Sequence, residues 1–200
     1  MAILKIDLPK ALSHKNVIIE LGCGQRIKND RINIDRLDLP GVDIVADIEN
    51  GLPFLPDNST DEIHSKSFLE HIENFEFLMK EIHRVLKTGG RKHIFVPHFS
   101  NPYYYSDYTH KKFFGLYTFE YFVGRENQLK RKVPVFYQDV RFKVVSRKLI
   151  FKSPFYGRNV FKKVLQFIFN LTPYMQEFYE ENLCYVFPCY GIRIVLTPDK

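Results

Sequence analysis

Two glycines and two aspartates, each placed where an apolar run stops, are the residues of this sequence best suited to hold a ligand. Gly22 and Gly24 end the run Asn16–Leu21, Asp35 ends Ile32–Ile34, and Asp47 ends Val42–Ala46. Glycine lets the backbone come close to a ligand, and a carboxylate accepts hydrogen bonds from ribose hydroxyls or an adenine amino group. Together they read as a nucleoside site. The spacing argues against two common nucleotides. A dinucleotide fingerprint needs a third glycine where Ile27 stands, and Asp35 follows Gly22 by only 13 residues, against about 20 for NAD. No Gly-Lys-Ser/Thr run is present to cradle ATP phosphates.

A second set could move a proton, since imidazole titrates near neutral pH. His110 follows Asp107 by three residues, His71 follows Glu70, and His98 directly follows an apolar run where it could border a pocket. His64 lies inside such a run and reads as structural. His93 and His98 could share a metal, but no acidic cluster accompanies them, so no metal site is expected. Cys23, Cys184 and Cys189 form no CxxC pair and fit a reducing compartment.

Short β-branched runs must position these groups. Asn16–Leu21, Ile32–Asp35, Val42–Asp47, Asp61–Ser65 and Lys92–Val96 read as strands of a parallel sheet. Between the last two, Asn74–Leu86 places Phe75, Leu78, Met79, Ile82 and Val85 at helical spacing. Asn74 is its expected cap, and Gly89–Gly90 lies beyond its end. Strands alternating with a helix predict a parallel α/β sheet, whose ligands sit beyond the carboxyl ends of the strands.

Glu20-Leu21-Gly22-Cys23-Gly24 resembles the first signature of the class I methyltransferases that use S-adenosylmethionine (SAM). Asn33-Ile34-Asp35, Val45-Ala46-Asp47, Leu52-Pro53-Phe54, Phe68–Ile72 and Arg84–Gly90 follow in that family's order, so the resemblance runs from Val17 to Pro97. It is similar in particular to a compact, type 11-like subgroup often linked to polysaccharide or lipid-linked sugar pathways. Asp107-Tyr108-Thr109-His110 partly matches that subgroup's Asp-Pro-Thr-His segment.

The resemblance implies a Rossmann-like sheet, mostly parallel with an antiparallel C-terminal strand, helices on both faces, and SAM as cofactor. By position it implies that Glu20 and the backbone of Leu21, Gly22, Cys23 and Gly24 hold the methionine portion. Asp35 would take the ribose hydroxyls with Arg36 beside the adenine. Asp47 and Ile48 would recognise the adenine edge, and Ser65 and Lys66 would meet the methionine end by backbone. Gln25–Arg31 is too short for the family's first helix, so a shortened one is expected.

The remainder reads as the substrate side of one domain spanning residues 1–200. Residues 98–139 are unusually aromatic and read as an insertion or lid. Within it Phe113–Phe122 is expected to pack as core, and Tyr103–Tyr105 could stack on an acceptor. His110, His71 and Asp107 are the candidate catalytic residues for proton removal. Val140–Ile150 and Ile192–Leu196 read as the last strands. Asn159–Leu171 reads as an amphipathic helix that packs, or alternatively lies on a membrane with Lys162 and Lys163 alongside.

Apolar residues make up 45% of the chain and charged residues 26%, with a net charge of +6, the balance of a soluble globular protein. The basic surplus reads as a solvated face, with an anionic substrate such as a phosphorylated carrier, and a membrane surface or nucleic acid, as the competing readings. No nucleic-acid module is recognisable. With no signal peptide or membrane-spanning run, a cytoplasmic protein is expected, with peripheral contact to the inner membrane surface kept open. The expected function is methyl transfer to a small-molecule, saccharide or lipid-linked acceptor. The alternatives are a catalytically silent SAM-fold module binding a partner protein or membrane, and a nucleic-acid methyltransferase. Asn101-Pro102-Tyr103 is one proline short of the signature of the amino-methylating enzymes among the last class.

Overall fold

The computed structural model describes residues 2–200. Among the described residues, eight strands, β1 (Ile3–Leu4), β2 (Ile18–Leu21), β3 (Ile32–Asp35), β4 (Ile44–Val45), β5 (Thr60–Lys66), β6 (Leu86–Pro97), β7 (Phe142–Ile150) and β8 (Gly191–Pro198), form one sheet in the order β1-β4-β3-β2-β5-β6-β8-β7. β4, β3, β2, β5 and β6 run parallel, and β8 is antiparallel to both its neighbours, as expected. The two-residue β1 adds an antiparallel edge to β4 that the sequence did not suggest. The order reverses at β2, whose neighbours are β3 and β5, so the crevice beyond the ends of these strands is the ligand position of such sheets.

Register divides the sheet into two unlike faces. Ile19, Ile63, Lys92 and Leu196 form one cross-strand row, and Glu20, His64, His93 and Val195 the next. Successive residues point to opposite faces. The first row is fully buried and shares one core with Leu78, Met79 and Ile82 of helix α2 (Phe75–Val85). The second row is polar apart from Val195, and its His64, His93 and Val195 are only half-buried. Right-handed crossovers place a β2–β3 helix and the β5–β6 helix on opposite faces, because the two connections run in opposite directions across the sheet. Residues 25–31 form turns and no helix, so the shortening goes to completion. The polar row lies on the face such a helix would cover.

Asn74 does not cap α2 with its side chain. The Glu49 carboxylate does the work instead, accepting from the N–H groups of Glu73 at 2.7 Å and Asn74 at 2.9 Å. A carboxylate there also suits the positive end of the helix dipole.

Residues 98–139 hold only short 3-10 turns, so the helical spacing of Phe113–Phe122 does not become an α-helix. The packing expectation stands for Phe114, Leu116, Phe119 and Phe122, which are buried, while Phe113 and Tyr121 are exposed. The Phe75 ring meets Phe114, Phe119 and Phe122 edge-on at 5.5–6.0 Å. A buried ion pair, Glu120 with Arg147, ties this segment to β7.

Helix α1 is Leu8–Leu12, and β7 is followed by α3 (Tyr156–Phe169) and α4 (Pro173–Asn182). The sequence reading missed α4, which starts with Thr172 as its cap and Pro173 in its first turn. Its Tyr179 is fully buried against Phe151 and Phe169. In α3 only Leu165 and Phe169 are buried. Tyr156, Val160, Val164 and Phe167, three or four residues apart and so on one face, are all more than half exposed.

Candidate active site

The glycine loop leaves β2 at the switch point. Gly22 (φ 65°) and Gly24 (φ 52°) both adopt the left-handed conformation that disfavours any residue with a Cβ. The N–H groups of Gly22 and Cys23 donate to Ile34 O, which ties the loop to β3. Asp35 is fixed by two backbone donors, Gly24 N–H at 2.8 Å on one oxygen and Leu37 N–H at 3.0 Å on the other. A carboxylate has about four acceptor positions, so two remain for a ligand. Across the strand ends, Asp47 is exposed and accepts from Glu49 N–H at 3.1 Å, with Ile48 buried next to it. Arg36 is exposed beside Asp35. Arg26 donates to Lys66 O at 2.6 Å, closing the loop against the end of β5.

Asp47, Asp35, Gly22–Gly24 and Lys66 therefore follow one another along the carboxyl edge of β4, β3, β2 and β5. Two of the expected residues turn their side chains elsewhere. The Glu20 carboxylate accepts from Arg31 at 2.9 Å, and Ser65 Oγ, on the opposite face, accepts from Lys92 Nζ at 2.8 Å. Lys92 is fully buried, which pulls its amine down to about 7. The sequence reading missed it, although a lysine inside an apolar strand is itself a signal. Burial, then the charge of Asp35, pushes the Cys23 thiol up to about 11, which makes it unreactive.

Beyond the ends of β5 and β6 lies a cleft of about 570 Å³, lined among others by Glu70, His71, Tyr104, Asp107, His110 and Lys152. The three expected catalytic residues thus line one cavity. His110 Nδ1 lies 2.9 Å from Tyr104 O, and its Nε2 lies 3.5 Å from Asp107. His71 Nδ1 lies 3.0 Å from Thr109 Oγ1 and 3.3 Å from Thr109 O. Thr109 Oγ1 in turn donates to Asp107 at 2.5 Å. Burial lowers the His71 pKa, so the ring is neutral at pH 7. Glu70 is buried in the same cleft, and burial raises its carboxyl to about 7. Tyr104 is also buried, whereas Tyr103 and Tyr105 stand out into solvent.

His98 does not border the cleft, contrary to expectation. It is fully buried, accepting at Nδ1 from Ser100 N–H (3.1 Å) and donating from Nε2 to Glu180 (3.0 Å). His64 stacks on His93 with ring centroids 4.2 Å apart on the polar face of the sheet.

Residues 19–94 match a family model described as a methyltransferase domain. No curated protein matches the chain in sequence. Among solved structures, a SAM-dependent methyltransferase from Archaeoglobus fulgidus superposes with a TM-score of 0.53 at 16% identity, over 95% of this chain and 89% of that one. A Haloferax volcanii methyltransferase, solved in complex with the Trm112 activator, gives 0.53 at 14% identity over 95% and 88%. A Haemonchus contortus phosphoethanolamine N-methyltransferase solved with SAM gives 0.50 at 14% identity, over 96% of this chain and 50% of that one. At these identities the likeness is one of fold.

Proposed function

We propose that this chain, a class I SAM-dependent methyltransferase, transfers its methyl group to an acceptor hydroxyl of a lipid-linked molecule presented at a membrane surface. One observation carries the lipid-linked reading. The cleft wall ends at Lys152, Ser153 and Pro154, and the next residues, Phe155 and Tyr156, begin the exposed apolar stripe of α3. Val160, Val164 and Phe167 continue that stripe, the exposed Lys163 borders it on the helix, the exposed Lys152 precedes it, and the Arg158 guanidinium stacks over the Phe155 ring at 5.0 Å. An apolar face bordered by cations suits an anionic lipid surface. No described helix is long and apolar enough to cross a membrane, so the contact would be peripheral.

SAM would lie along the carboxyl edge of the sheet. Asp35 would accept the ribose hydroxyls with its free lone pairs, Asp47 and Ile48 would meet the adenine, and Arg36 would flank it. The backbone of Leu21–Gly24, Ser65 and Lys66 would approach the methionine end. Glu20, held by Arg31, would steady the loop. The acceptor would enter the cleft, where His71, His110 and Asp107 face it, with Tyr104 O holding His110 through Nδ1. Methyl transfer is an in-line displacement at an already activated carbon, so the protein's task is alignment and removal of the hydroxyl proton.

The test has two steps. Calorimetry with SAM should show binding that Asp35→Ala and Asp47→Ala both weaken. Label from methyl-labelled SAM should then pass into the organic phase of a membrane lipid extract, and H110A should lose this transfer while keeping SAM binding. Folded protein that binds no SAM would overturn the enzyme reading. Transfer only to water-soluble saccharides would overturn the lipid-linked one.

A further inference from the structure

One buried atom in the cleft has no partner. Glu70 is 1% exposed, and its Oε2 accepts no hydrogen bond, a costly state for a carboxylate oxygen. One ligand atom each from Glu70, His71 and His110 lie within 4.8 Å of one another. Hydrogen bonds fix which nitrogen of each ring is free. Tyr104 O can only accept, so His110 Nδ1 carries a proton and Nε2 a lone pair. The Thr109 hydroxyl gives its proton to Asp107, so His71 Nδ1 must be the donor towards Thr109, and its Nε2 also keeps a lone pair. Imidazoles that bind metals are held this way, with the second nitrogen donating to a backbone carbonyl or similar group.

We propose that Glu70, His71 and His110 form a site for a divalent transition cation of the zinc type, with an open position towards the cleft for the acceptor oxygen. Two imidazoles and one carboxylate are a donor set of catalytic zinc, and imidazole favours such ions over magnesium or calcium. The cavity provides the entry path. A second group, Glu62, His64 and His93, is similarly close. There the carboxylate is already partnered by His64 Nε2 at 2.8 Å, and no residue of the three is fully buried.

The role given to the cation rests on reading the cleft as the acceptor site. A hydroxyl bound to the cation would ionise at neutral pH. Its proton passes to the nearby Asp107 carboxylate. The oxygen then bonds to the methyl carbon as the sulfur–methyl bond breaks, and the sulfonium leaves as a neutral thioether.

The test is metal binding by the chelator-treated full chain, with Zn²⁺ followed by calorimetry and Co²⁺ by visible absorption. One equivalent should bind at micromolar or tighter Kd, and Co²⁺ should show the intense visible bands of a four- or five-coordinate site. E70Q and H110A, with H71N as a further variant, should each weaken binding by more than about tenfold, the loss that removing even a supporting group can cause. Circular dichroism checks that the variants fold. H64A and H93A should bind as the unaltered chain does. No binding, binding indifferent to E70Q and H110A, or binding lost only in H64A or H93A would overturn the proposal. The readout needs neither SAM nor acceptor, so its failure leaves the methyltransferase reading standing. Protein that binds Zn²⁺ but not SAM would overturn that reading and keep this site.

Discussion

The ring of Phe68 occupies the space a side chain on Gly22 would need: a Cβ built there lies 2.0 Å from Phe68 Cδ2. The turn after β5 and the turn after β2 therefore interlock through a glycine. Gly24, by contrast, has open space at its Cβ position and needs glycine only for its φ.

Gly22→Ala meets both obstacles. The left-handed conformation alone costs about 1–2 kcal/mol, and Phe68 must move as well. Moving Phe68 shifts the segment that leads to Glu70 and His71. G22A should lower the melting temperature and weaken SAM binding by at least about tenfold, the equivalent of about 1.4 kcal/mol. G24A should show the smaller stability loss. Thermal melts and SAM titration of the two variants check this, and equal losses would contradict the interlock.

The buried Glu120–Arg147 pair gives a prediction about the aromatic segment. Burial raises the pKa of Glu120 and lowers that of Arg147, and each is held charged by the other. Glu120 also accepts from Leu129 N–H at 2.7 Å. Arg147→Met leaves a carboxylate unpaired in the core and should cost about 3–5 kcal/mol. The double variant E120Q/R147M should recover much of that loss. Urea denaturation of the three proteins measures it, and a double variant no better than R147M would show that the pair is not the cause.

Much of the frame was legible because its signals are local. Gly22, Asp35 and Asp47 stand at strand ends that the sequence marks by β-branched runs, and Leu78, Met79 and Ile82 advertise the buried face of α2. What the sequence hid depends on distant pairing. Glu49 caps a helix that starts more than twenty residues later, so the nearby Asn74 looked like the better cap. His98 looked like a cleft residue because it follows β6, yet its partner Glu180 lies on α4, a helix with little apolar periodicity. The stripe on α3 is apolar enough to read as core, and only the fold shows that it faces outwards. His71 and His110 were identified separately, but nothing in their spacing says that ligand atoms of both come within 4.8 Å of a carboxylate oxygen of Glu70.

Lys92 offers a pH test. Its amine is lowered from 10.5 to about 7 by burial, so between those values the unfolded chain binds a proton that the folded chain lacks. Stability then rises with pH across that window, and at pH 7 and below the fold carries the full penalty. The span corresponds to up to about 5 kcal/mol at roughly 1.4 kcal/mol per unit. Lys92→Met should be more stable than the unaltered chain at pH 7, and the advantage should shrink towards pH 10. Denaturation midpoints of both proteins from pH 6.5 to 10 check the sign. A constant difference would mean that Lys92 stays charged in the folded protein across this range.

The outward stripe of α3 can be tested apart from catalysis. Val160 and Phe167 are 51% and 70% exposed, so a glutamate at either position should leave the fold intact. Each substitution removes apolar contact and adds a charge of the sign that repels anionic lipid. V160E/F167E should abolish sedimentation with vesicles containing phosphatidylglycerol while leaving SAM binding unchanged. K163E, which keeps the apolar face, should weaken vesicle binding in a salt-dependent way. Co-sedimentation at low and high salt separates the two contributions. If the double variant binds vesicles as well as the unaltered chain does, the stripe is not a membrane contact and the lipid-linked acceptor loses its main support.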